Sequence, residues 1–459
     1  MAGKALVIGL DGAPPQWVFD RWLDELPNLR ALTKAGSYGV LRSCDPPITV
    51  PAWSVMTSSR SPGTLGCYGF RNRPGRGYAC STFADSRTVR VPRLWDVLSA
   101  RGRPVVVLGV PQTYPPTPVQ GVLVSCFMTP DTERCCYTYP AELVGEVERV
   151  VGPYVPDVTG FRTTDKARLL EDLQEVTDRR FLLAAHLLAT RPWDLFFLVE
   201  MSTDRLNHGL WRFFDPEHRL YEPGSPYEPG ALDFYRSLDA RLGRLLRFAD
   251  DETSVLVVSD HGAKRLDGGV CLNEWLRREG YLVLKREPAG PEPLTPDLVD
   301  WTRTIAWGAG GYYGRVFLNV AGREPEGAVA PGDHERLRGE VRERLGALPA
   351  VAYTPEELYA ECNGTAPDLL VYFDDLHDRS LGQVGTDVVR VSENDTGPDD
   401  ANHAHEGLYI LVGNGVPAGP GPELDILDVA PTLLDLLGEP VPAEMEGSSL
   451  VAAPSARPF

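Results

Sequence analysis

Residues 195–208 read LFFLVEMSTDRLNH, an apolar run followed at once by an aspartate and a histidine. The run LFFLVE is short and strongly apolar, which predicts a buried strand. Asp204 and His208 are four residues apart, so in a helix they would share one face and could bind one metal ion. The stretch alone also fits an ion pair on a helix surface, and the rest of the chain has to decide between the two interpretations.

Five further runs of this kind alternate with amphipathic segments along the chain. They are ALVIG (5–9), PVVVLG (104–109), SVLVVS (254–259), DLLVYF (368–373) and LYILV (408–412). Helical periodicity lies between them, most clearly at 166–189 and 233–249. This alternation predicts an α/β fold with a mainly parallel central sheet and helices on both faces.

The region from 262 to 365 fits the alternation less well. It contains the Pro-rich stretch REPAGPEPLTPD at 286–297 and the strand-like GRVFLNVAG at 314–322. We therefore predict a catalytic α/β core formed by residues 1–261 and 366–459, with an inserted cap region at 262–365 between its two parts.

Charge and hydropathy limit the classes of partner. The chain of 459 residues has a formal net charge of −19, which argues against a nucleic-acid polymer, because such polymers are bound through clustered Lys and Arg. The opening MAGKALVIGLDG reaches an acid too early for a signal peptide, and no apolar stretch is long enough to cross a bilayer. These features predict a cytoplasmic protein with no membrane partner, and they give no signal for an oligomeric state. The eight cysteines lack zinc-ribbon spacing and are expected to be thiols without a chemical role.

Acids and histidines stand at the ends of several predicted strands. In open α/β sheets ligands bind beyond the carboxyl ends of the strands, so these side chains would gather at one edge. Each one alone could simply cap a helix or turn. Together, three aspartates and three histidines suffice for two divalent metals with oxygen and imidazole ligands, a mixture that zinc accepts. The six residues are Asp11, Asp204, His208, Asp260, His261 and His403.

A nucleophile is available in CDPPITVPAWSVMTSS at 44–59. Thr49 lies in a Pro-flanked turn before a helix that is expected to start near Pro51, where backbone N–H groups and the helix dipole favour an alkoxide and a bound phosphate. The alternative is that Thr49 only caps this helix. Ser54 and Thr57 are weaker nucleophile candidates because they should lie inside the helix.

With these residues in view, the sequence resembles the alkaline phosphatase superfamily, in particular its type I phosphodiesterase and nucleotide pyrophosphatase branch. Segments 272–282, 314–327 and 426–450 look like a bacterial phosphohydrolase and phosphomutase-like group of that superfamily. The sulfatase branch fits poorly, because Cys44 is followed by DPPIT and not by the C-x-P-x-R pattern. The resemblance covers nearly the whole chain and rests on LDG with Asp11, ITVPAW with Thr49, D-x-x-x-H with Asp204 and His208, SDHG with Asp260 and His261, and H-x-x-x-G with His403 and Gly407.

The resemblance implies an alkaline phosphatase-like fold and two divalent metal ions, zinc in the first place and manganese as the other option. His405 also lies near Gly407, but the spacing of His403 to that glycine matches the family pattern. The implied assignment is one metal at Asp204, His208 and His403, a second at Asp11, Asp260 and His261, and Thr49 as the nucleophile that bridges both.

The expected reaction is in-line attack by Thr49 on phosphorus, followed by hydrolysis of the phosphothreonine by water. Two Zn²⁺ and three aspartates leave a site charge of about +1, which suits a singly charged diester better than a dianionic monoester. Arg71, Asn72 and Arg73 lie close enough in sequence to contact substrate, although a solvated loop explains them equally well.

The sequence thus predicts a metal-dependent hydrolase that cleaves phosphodiester or pyrophosphate bonds of a small, nucleotide-like phosphorylated substrate. A phosphomonoesterase and a phosphomutase of the same superfamily are the alternatives, because both reactions use the same metal ligands. A binding module with an inactive site is the third reading, and the complete ligand set argues against it.

Overall fold

The computed structural model describes residues 3–78 and 81–451 and has a mixed α/β architecture. The strands are, in chain order, β1 (Lys4–Leu10), β2 (Ser37–Arg42), β3 (Arg71–Asn72), β4 (Thr82–Phe83), β5 (Val105–Leu108), β6 (Gly121–Val124), β7 (Thr138–Tyr139), β8 (Leu195–Glu200), β9 (Thr253–Val258), β10 (Gly262–Arg265), β11 (Gly268–Cys271), β12 (Glu292–Pro293), β13 (Ala306–Ala309), β14 (Gly314–Leu318), β15 (Ala350–Tyr353), β16 (Leu369–Phe373), β17 (Asp378–Leu381), β18 (Gln383–Val384), β19 (Arg390–Val391), β20 (Ala401–Ala404), β21 (Glu406–Val412), β22 (Gly419–Pro420) and β23 (Leu424–Asp425).

The helices cover both long amphipathic segments. The α-helices are α1 (Pro27–Ala35), α2 (Thr49–Ser58), α3 (Pro62–Leu65), α4 (Leu94–Ala100), α5 (Leu143–Val151), α6 (Lys166–Thr190), α7 (Ser202–Phe214), α8 (Gly230–Leu245), α9 (Leu272–Arg278), α10 (His334–Leu345), α11 (Pro355–Leu358) and α12 (Val429–Leu436). Short 3-10 turns lie at Leu23–Glu25, Leu246–Phe248, Pro296–Leu298, Pro331–Asp333, Asp374–Leu376 and Ile426–Asp428, and a π turn at Gln16–Arg21.

The central sheet has ten strands, and its middle is parallel. Strands β9, β1, β8, β5 and β6 are neighbours in that order and all run in one direction. Beyond β9 the sheet continues with β21 and then β2, each antiparallel to its neighbour, and β7 closes the other side antiparallel to β6. The predicted α/β fold with a mainly parallel central sheet is confirmed.

Both faces of this sheet are covered, which explains why its strands are apolar on both sides. Along β1, Ala5 and Val7 belong to one hydrophobic core, which includes residues of α2, α4 and α12. Leu6, Ile8 and Leu10 belong to the other core, which includes residues of α1 and α5 to α8. Because successive side chains of a strand point to opposite faces of the sheet, β1 packs against both helical layers.

A second sheet is built mainly from the inserted region and runs in the order β13, β14, β16, β17, β11, β19, with β15 beside β16. The expectation that DLLVYF at 368–373 joins the central sheet is wrong, because β16 pairs antiparallel with β14 and β15 in this second sheet. The proposed boundary at residue 365 thus lies between paired strands. We call the unit built around this sheet, residues 268–391, the cap.

The fold brings the predicted site residues to one edge of the central sheet. Strands β9, β1 and β8 are adjacent, and Asp260, Asp11 and the helix α7 that carries Asp204 follow them directly. A separate antiparallel pair, β10 and β20, places His403 opposite Ala263. The last histidine therefore reaches the site by a pairing that spans about 140 residues of sequence.

Two further expectations concern the chain as a whole. Among the residues that the structure describes, no helix combines the length and apolar character that crossing a membrane requires. The described cysteines are all free thiols, and Cys80 lies outside the described residues.

Gly9 of β1 offers a test of the packing beneath the site. A Cβ at Gly9 would meet a ring carbon of Trp53 at 2.3 Å and a methyl carbon of Val199 at 3.0 Å, and Trp53 is fully buried. We expect Gly9→Ala to lower the free energy of unfolding by about 1–3 kcal/mol, because the core would be overpacked. Urea denaturation measures the change.

The matched control is Gly145→Ala in helix α5, where the added Cβ meets nothing within 4 Å. This variant should be neutral or stabilised by up to about 1 kcal/mol, because alanine favours the helix. A Gly9→Ala protein as stable as the parent would show that Trp53 does not pack against β1 in this way.

Candidate active site

Seven of the predicted site residues form one buried cluster at the edge of the central sheet. Each of them is at most 2% exposed. The cluster consists of Asp11, Thr49, Asp204, His208, Asp260, His261 and His403.

Asp11, Asp260 and His261 form one half of the cluster. His261 Nε2 lies 3.6 Å from Asp11 Oδ1 and 3.5 Å from Asp260 Oδ2. One ligand atom from each of the three residues lies within 4.8 Å of the others. This spacing is small enough for the three side chains to share one cation.

Asp204, His208 and His403 form the other half. His208 Nε2 is 3.4 Å from Asp204 Oδ1 and 3.4 Å from His403 Nε2, and His403 Nε2 is 3.6 Å from the same Asp204 oxygen. His261 joins the two halves, because its ligand atom is also within 4.8 Å of those of Asp204 and His403. Helix α7 thus places Asp204 and His208 on one face, as their spacing predicts.

Thr49 lies against the half formed by Asp11, Asp260 and His261, as the first residue of α2 and two positions before the helix start expected at Pro51. Its hydroxyl oxygen is 3.2 Å from His261 Nε2 and 3.5 Å from Asp11 Oδ1. The backbone N–H groups in the first turn of a helix have no partner within the helix, so this position can accept an anion.

The three other hydroxyls of this helix are engaged elsewhere, and Ser58 donates to the carbonyl of Ser54. Thr57 donates to the carbonyl of Trp53, and Ser54 bonds to the side chain of Gln112. Thr49 is the hydroxyl of α2 that faces the acids and imidazoles.

Each imidazole of the cluster has a fixed orientation. Nδ1 of His261 lies 2.9 Å from the carbonyl of Gly262, and Nδ1 of His403 lies 2.8 Å from the carbonyl of Pro47. A carbonyl can only accept, so these Nδ1 atoms carry the proton and the Nε2 lone pairs face the cluster. His208 has the same arrangement with the carboxylate of Asp399 at 2.7 Å. Partners of this kind orient metal-binding histidines.

The carboxylates of Asp11 and Asp260 accept few hydrogen bonds. Trp53 Nε1 donates to Asp11 Oδ2 at 2.6 Å, and the backbone N–H of Gly12 donates to Asp260 Oδ1 at 3.3 Å. Asp260 Oδ2 is buried and has no hydrogen-bond partner among the described residues. A buried acceptor without a partner is costly, and a metal ion at this point would satisfy it.

Burial and mutual repulsion are the main causes of the pKa shifts of Asp11 and Asp260. Burial, and after it the Asp204 carboxylate, raises the pKa of Asp11 well above its ordinary value. Burial and Asp11 do the same to the pKa of Asp260. Burial also acts to raise the pKa of Asp204, but the attraction of His208 and other cations outweighs it and holds that pKa well below its ordinary value.

The pKa values of the three histidines also shift in opposite directions. Burial lowers the pKa of His261 to about 4 and that of His403 well below its ordinary value, so both rings are neutral donors of a lone pair. At His208 burial acts to lower the pKa, but the charges of Asp399, Tyr312 and Asp204 together outweigh it and raise the pKa well above its ordinary value. The donor set of three carboxylates and three oriented imidazoles fits divalent metal ions of the zinc type.

The three predicted substrate-binding residues do not join this cluster. The amide of Asn72 is bonded within its own loop, accepting from the N–H of Tyr68 at 2.7 Å and donating to the carbonyl of Gly69 at 2.8 Å. Arg73 packs over the rings of Trp307 and Phe317 in the cap, at 5.0 and 4.8 Å. Arg71 lines a cavity beside the cluster.

That cavity has a volume of about 400 Å³ and lies between the core and the cap. Ile48, which precedes Thr49, lines it from the core, and Tyr312 lines it from the cap. The ring of Tyr312 stacks on His403 at 4.2 Å and on His208 at 5.2 Å. Tyr312 thus forms the boundary between the imidazoles and the cavity.

Sequence reasoning missed the residues that surround the cluster. Asp399 lies in the stretch DTGPDDANHAH just before His403, and Arg205, next to Asp204, donates to Asp204 Oδ2 at 2.6 Å. Their positions next to predicted ligands could have indicated them. His405, the alternative to His403, bonds instead to Asp45 Oδ1 at 2.8 Å.

The fold and the site define a class. Among the solved structures that this chain matches along most of its length is human ectonucleotide pyrophosphatase/phosphodiesterase 5, with a TM-score of 0.58, 14% identity and 97% of each chain covered. Another is phosphonoacetate hydrolase from Sinorhizobium meliloti 1021 in complex with phosphonoformate, with a TM-score of 0.61, 17% identity and 95% of each chain covered. At these identities the match shows the fold, which is that of the alkaline phosphatase superfamily.

Within this class the family is defined by sequence. The model of the type I phosphodiesterase / nucleotide pyrophosphatase family matches residues 5–390. The chain belongs to this family, and so to the phosphoryl-transfer hydrolases. A search of curated proteins found no match.

Asp399 allows a test of the outer partners. Asp399→Asn keeps the shape of the side chain but removes the charge that orients and polarises His208. We expect the affinity for Zn²⁺ to fall about 10- to 100-fold, as is usual when the outer partner of a metal-binding histidine is lost. Calorimetric titration of the metal-free protein measures it.

Asp387→Asn is the control, because Asp387 is an exposed aspartate in a loop of the cap. Its zinc affinity should equal that of the parent. Unchanged affinity in Asp399→Asn, or an equal loss in both variants, would contradict the role given to Asp399.

Proposed function

We propose that the protein is a metal-dependent phosphohydrolase that cleaves phosphodiester or pyrophosphate bonds of small, nucleotide-like substrates through a phosphothreonine. The observation that carries this proposal is the position of Thr49. Its hydroxyl stands at a helix N-terminus, within 3.5 Å of both Asp11 and His261 and amid six buried donors suited to metal. A threonine that only capped the helix would not require buried acids and imidazoles around its hydroxyl.

The donor set supports two divalent metal ions, zinc or manganese. When bound, they would lower the pKa of the Thr49 hydroxyl and neutralise charge on the phosphoryl oxygens. The residues that would hold them are Asp204, His208 and His403 for one ion and Asp11, Asp260 and His261 for the other, with Thr49 between the two.

The chain itself supplies the nucleophile and its orientation. The oxygen of Thr49 forms a bond to phosphorus while the bond from phosphorus to the leaving oxygen breaks in line with it. The N–H groups of Thr49 and Val50 in the first turn of α2 have no partner within the helix and can hold a phosphoryl oxygen, whereas Pro51 has no N–H to offer. Water then cleaves the phosphothreonine and restores the hydroxyl.

Substrate contacts are proposed at the core side of the cavity. Arg71 and Arg73 line a groove of about 930 Å³ that extends under the cap. Contact between Asn72 and the substrate would require its amide to leave Tyr68 and Gly69. The two alternative reactions, monoester hydrolysis and phosphoryl transfer within a mutase, use the same nucleophile and differ in the acceptor or in the charge of the substrate.

Replacement of Thr49 tests the nucleophile. Thr49→Ala should reduce kcat by a factor of about 10³ or more, because covalent catalysis is lost, while zinc and phosphate still bind. Thr49→Ser should retain part of the activity, since it keeps a hydroxyl. Turnover is measured with bis-p-nitrophenyl phosphate and zinc binding by calorimetry.

Thr57→Ala is the matched control, because Thr57 is a buried threonine of the same helix whose hydroxyl bonds to the Trp53 carbonyl. It should keep most of the parent activity. Near-normal turnover in Thr49→Ala would mean that water attacks phosphorus directly and that no phosphothreonine forms.

The substrate class is tested by the ratio of kcat/KM for a diester to that for its matched monoester. We expect this ratio to exceed one, because a site charge of about +1 matches a monoanion. A rise of this ratio in the Arg71→Ala, Arg73→Ala double variant would identify these cations as groups that favour the dianionic monoester.

The control for this comparison is Arg336→Ala on the exposed face of α10, which should leave the ratio unchanged. A parent ratio well below one would refute the diesterase assignment and favour the phosphomonoesterase.

A further inference from the structure

Two adjoining spaces lie between the core and the cap. The cavity of about 400 Å³ beside Thr49 and the groove of about 930 Å³ under the cap share part of their walls. Gly310 and Gly311 of the cap form part of this shared wall, and the remaining shared residues are three arginines, Arg71, Arg315 and Arg379. A substrate that reached from Thr49 into the groove would have to pass these arginines.

The three arginines have few anionic partners. Within residues 3–78 and 81–451, neither Arg71 nor Arg315 has a carboxylate within 4.0 Å. Arg379 lies 3.5 Å from Asp399, but Asp399 also serves Arg162 at 2.8 Å and His208 at 2.7 Å. This local excess of positive charge occurs in a chain with a formal net charge of −19.

Two of the guanidinium groups also have unused donors. The Nε atoms of Arg315 and Arg379 are buried and have no hydrogen-bond partner among the described residues. Arg379 is only 7% exposed. Arginine is always charged, and these guanidinium groups line both the cavity and the groove, so the arrangement is suited to a bound anion.

The arginines are held in place before any ligand binds. Arg379 packs over the ring of Tyr312 at 5.2 Å, Arg71 over the ring of Phe83 at 4.1 Å, and Arg315 donates to the backbone carbonyl of Arg71. Because Arg315 and Arg379 come from the cap and Arg71 from the core, an anion between them would also bridge the two parts of the protein.

We propose that Arg71, Arg315 and Arg379 form a subsite for a second anionic group of the substrate, separate from the phosphoryl group that Thr49 attacks. This inference rests on the proposed function and specifies its substrate class. The group is one that a guanidinium binds through two oxygens, a phosphate or a carboxylate. A pyrophosphate has both a singly charged phosphoryl group for Thr49 to attack and a second anionic group for the arginines, because each of its two phosphates carries negative charge.

Binding to the zinc-loaded Thr49→Ala protein tests the subsite without turnover. The probes are methylphosphonate, which has one acidic group, and two series in which a chain of one to three methylene groups links the phosphonate to a second phosphonate or to a carboxylate. Calorimetry should show at least one bifunctional probe binding about tenfold or more tightly than methylphosphonate, as charge-assisted hydrogen bonds predict. The series that shows the gain identifies phosphate or carboxylate as the second group.

This gain should be lost when Arg315→Gln and Arg379→Gln are added, and reduced by Arg71→Ala alone. Arg71 is exposed, so the single variant tests the subsite even if the double variant does not fold. Arg303→Gln, at an exposed cap position, is the matched control and should keep the gain. Absence of any gain, or a gain that survives both Arg71→Ala and the double variant, would overturn the subsite.

The two proposals fail in different ways. A parent enzyme that cleaves phosphodiesters but shows no arginine-dependent gain would refute the subsite alone. A protein that cleaves no phosphoester yet shows this gain in binding would refute the hydrolase and leave the subsite standing.

Discussion

The burial of three aspartates at one edge of the central sheet is the constraint on which the site depends. Asp11 and Asp260 are completely buried, and their hydrogen-bond donors among the described residues are neutral: the Trp53 indole and the Thr49 hydroxyl for Asp11, and the N–H of Gly12 for Asp260. Charges removed from water in this way are tolerated only when they are paired or coordinate a metal. The Nε2 atoms of His208, His261 and His403 face the same region, so the electrostatic cost and the donor geometry point to the same divalent cations.

The core and the cap contribute different things to this site. The core supplies the acids, the imidazoles and Thr49, and its backbone carbonyls fix two of the rings. The cap supplies Tyr312 over the imidazoles and Arg315 and Arg379 around the cavity. The core therefore provides the residues proposed to react with phosphorus. The cap provides the residues proposed to contact the parts of a substrate that lie farther from the phosphorus atom.

The sequence indicated the ligand cluster because parallel strands deliver the residues after their carboxyl ends to one edge. Asp11, Asp204 and Asp260 follow three adjacent strands, so their meeting required only the fold class. The strand at 368–373 was assigned to the wrong sheet for the opposite reason. A short apolar run has the same composition in either sheet, and its partners β14 and β15 are chosen by contacts distant in sequence.

By itself, the sequence determined the α/β class, the mainly parallel sheet, the helix that presents Asp204 and His208 together, and the candidate metal donors, because these follow from local periodicity and from the order of elements. Only the tertiary structure decided which atoms face one another: Thr49 against Asp11 and His261, Asp399 behind His208, and the arginines of the cap around the cavity. Their separations in sequence range from 38 to 212 residues for the contacts of Thr49 alone. Contacts of this kind depend on how two sheets pack against each other, and no local pattern in the chain encodes that packing.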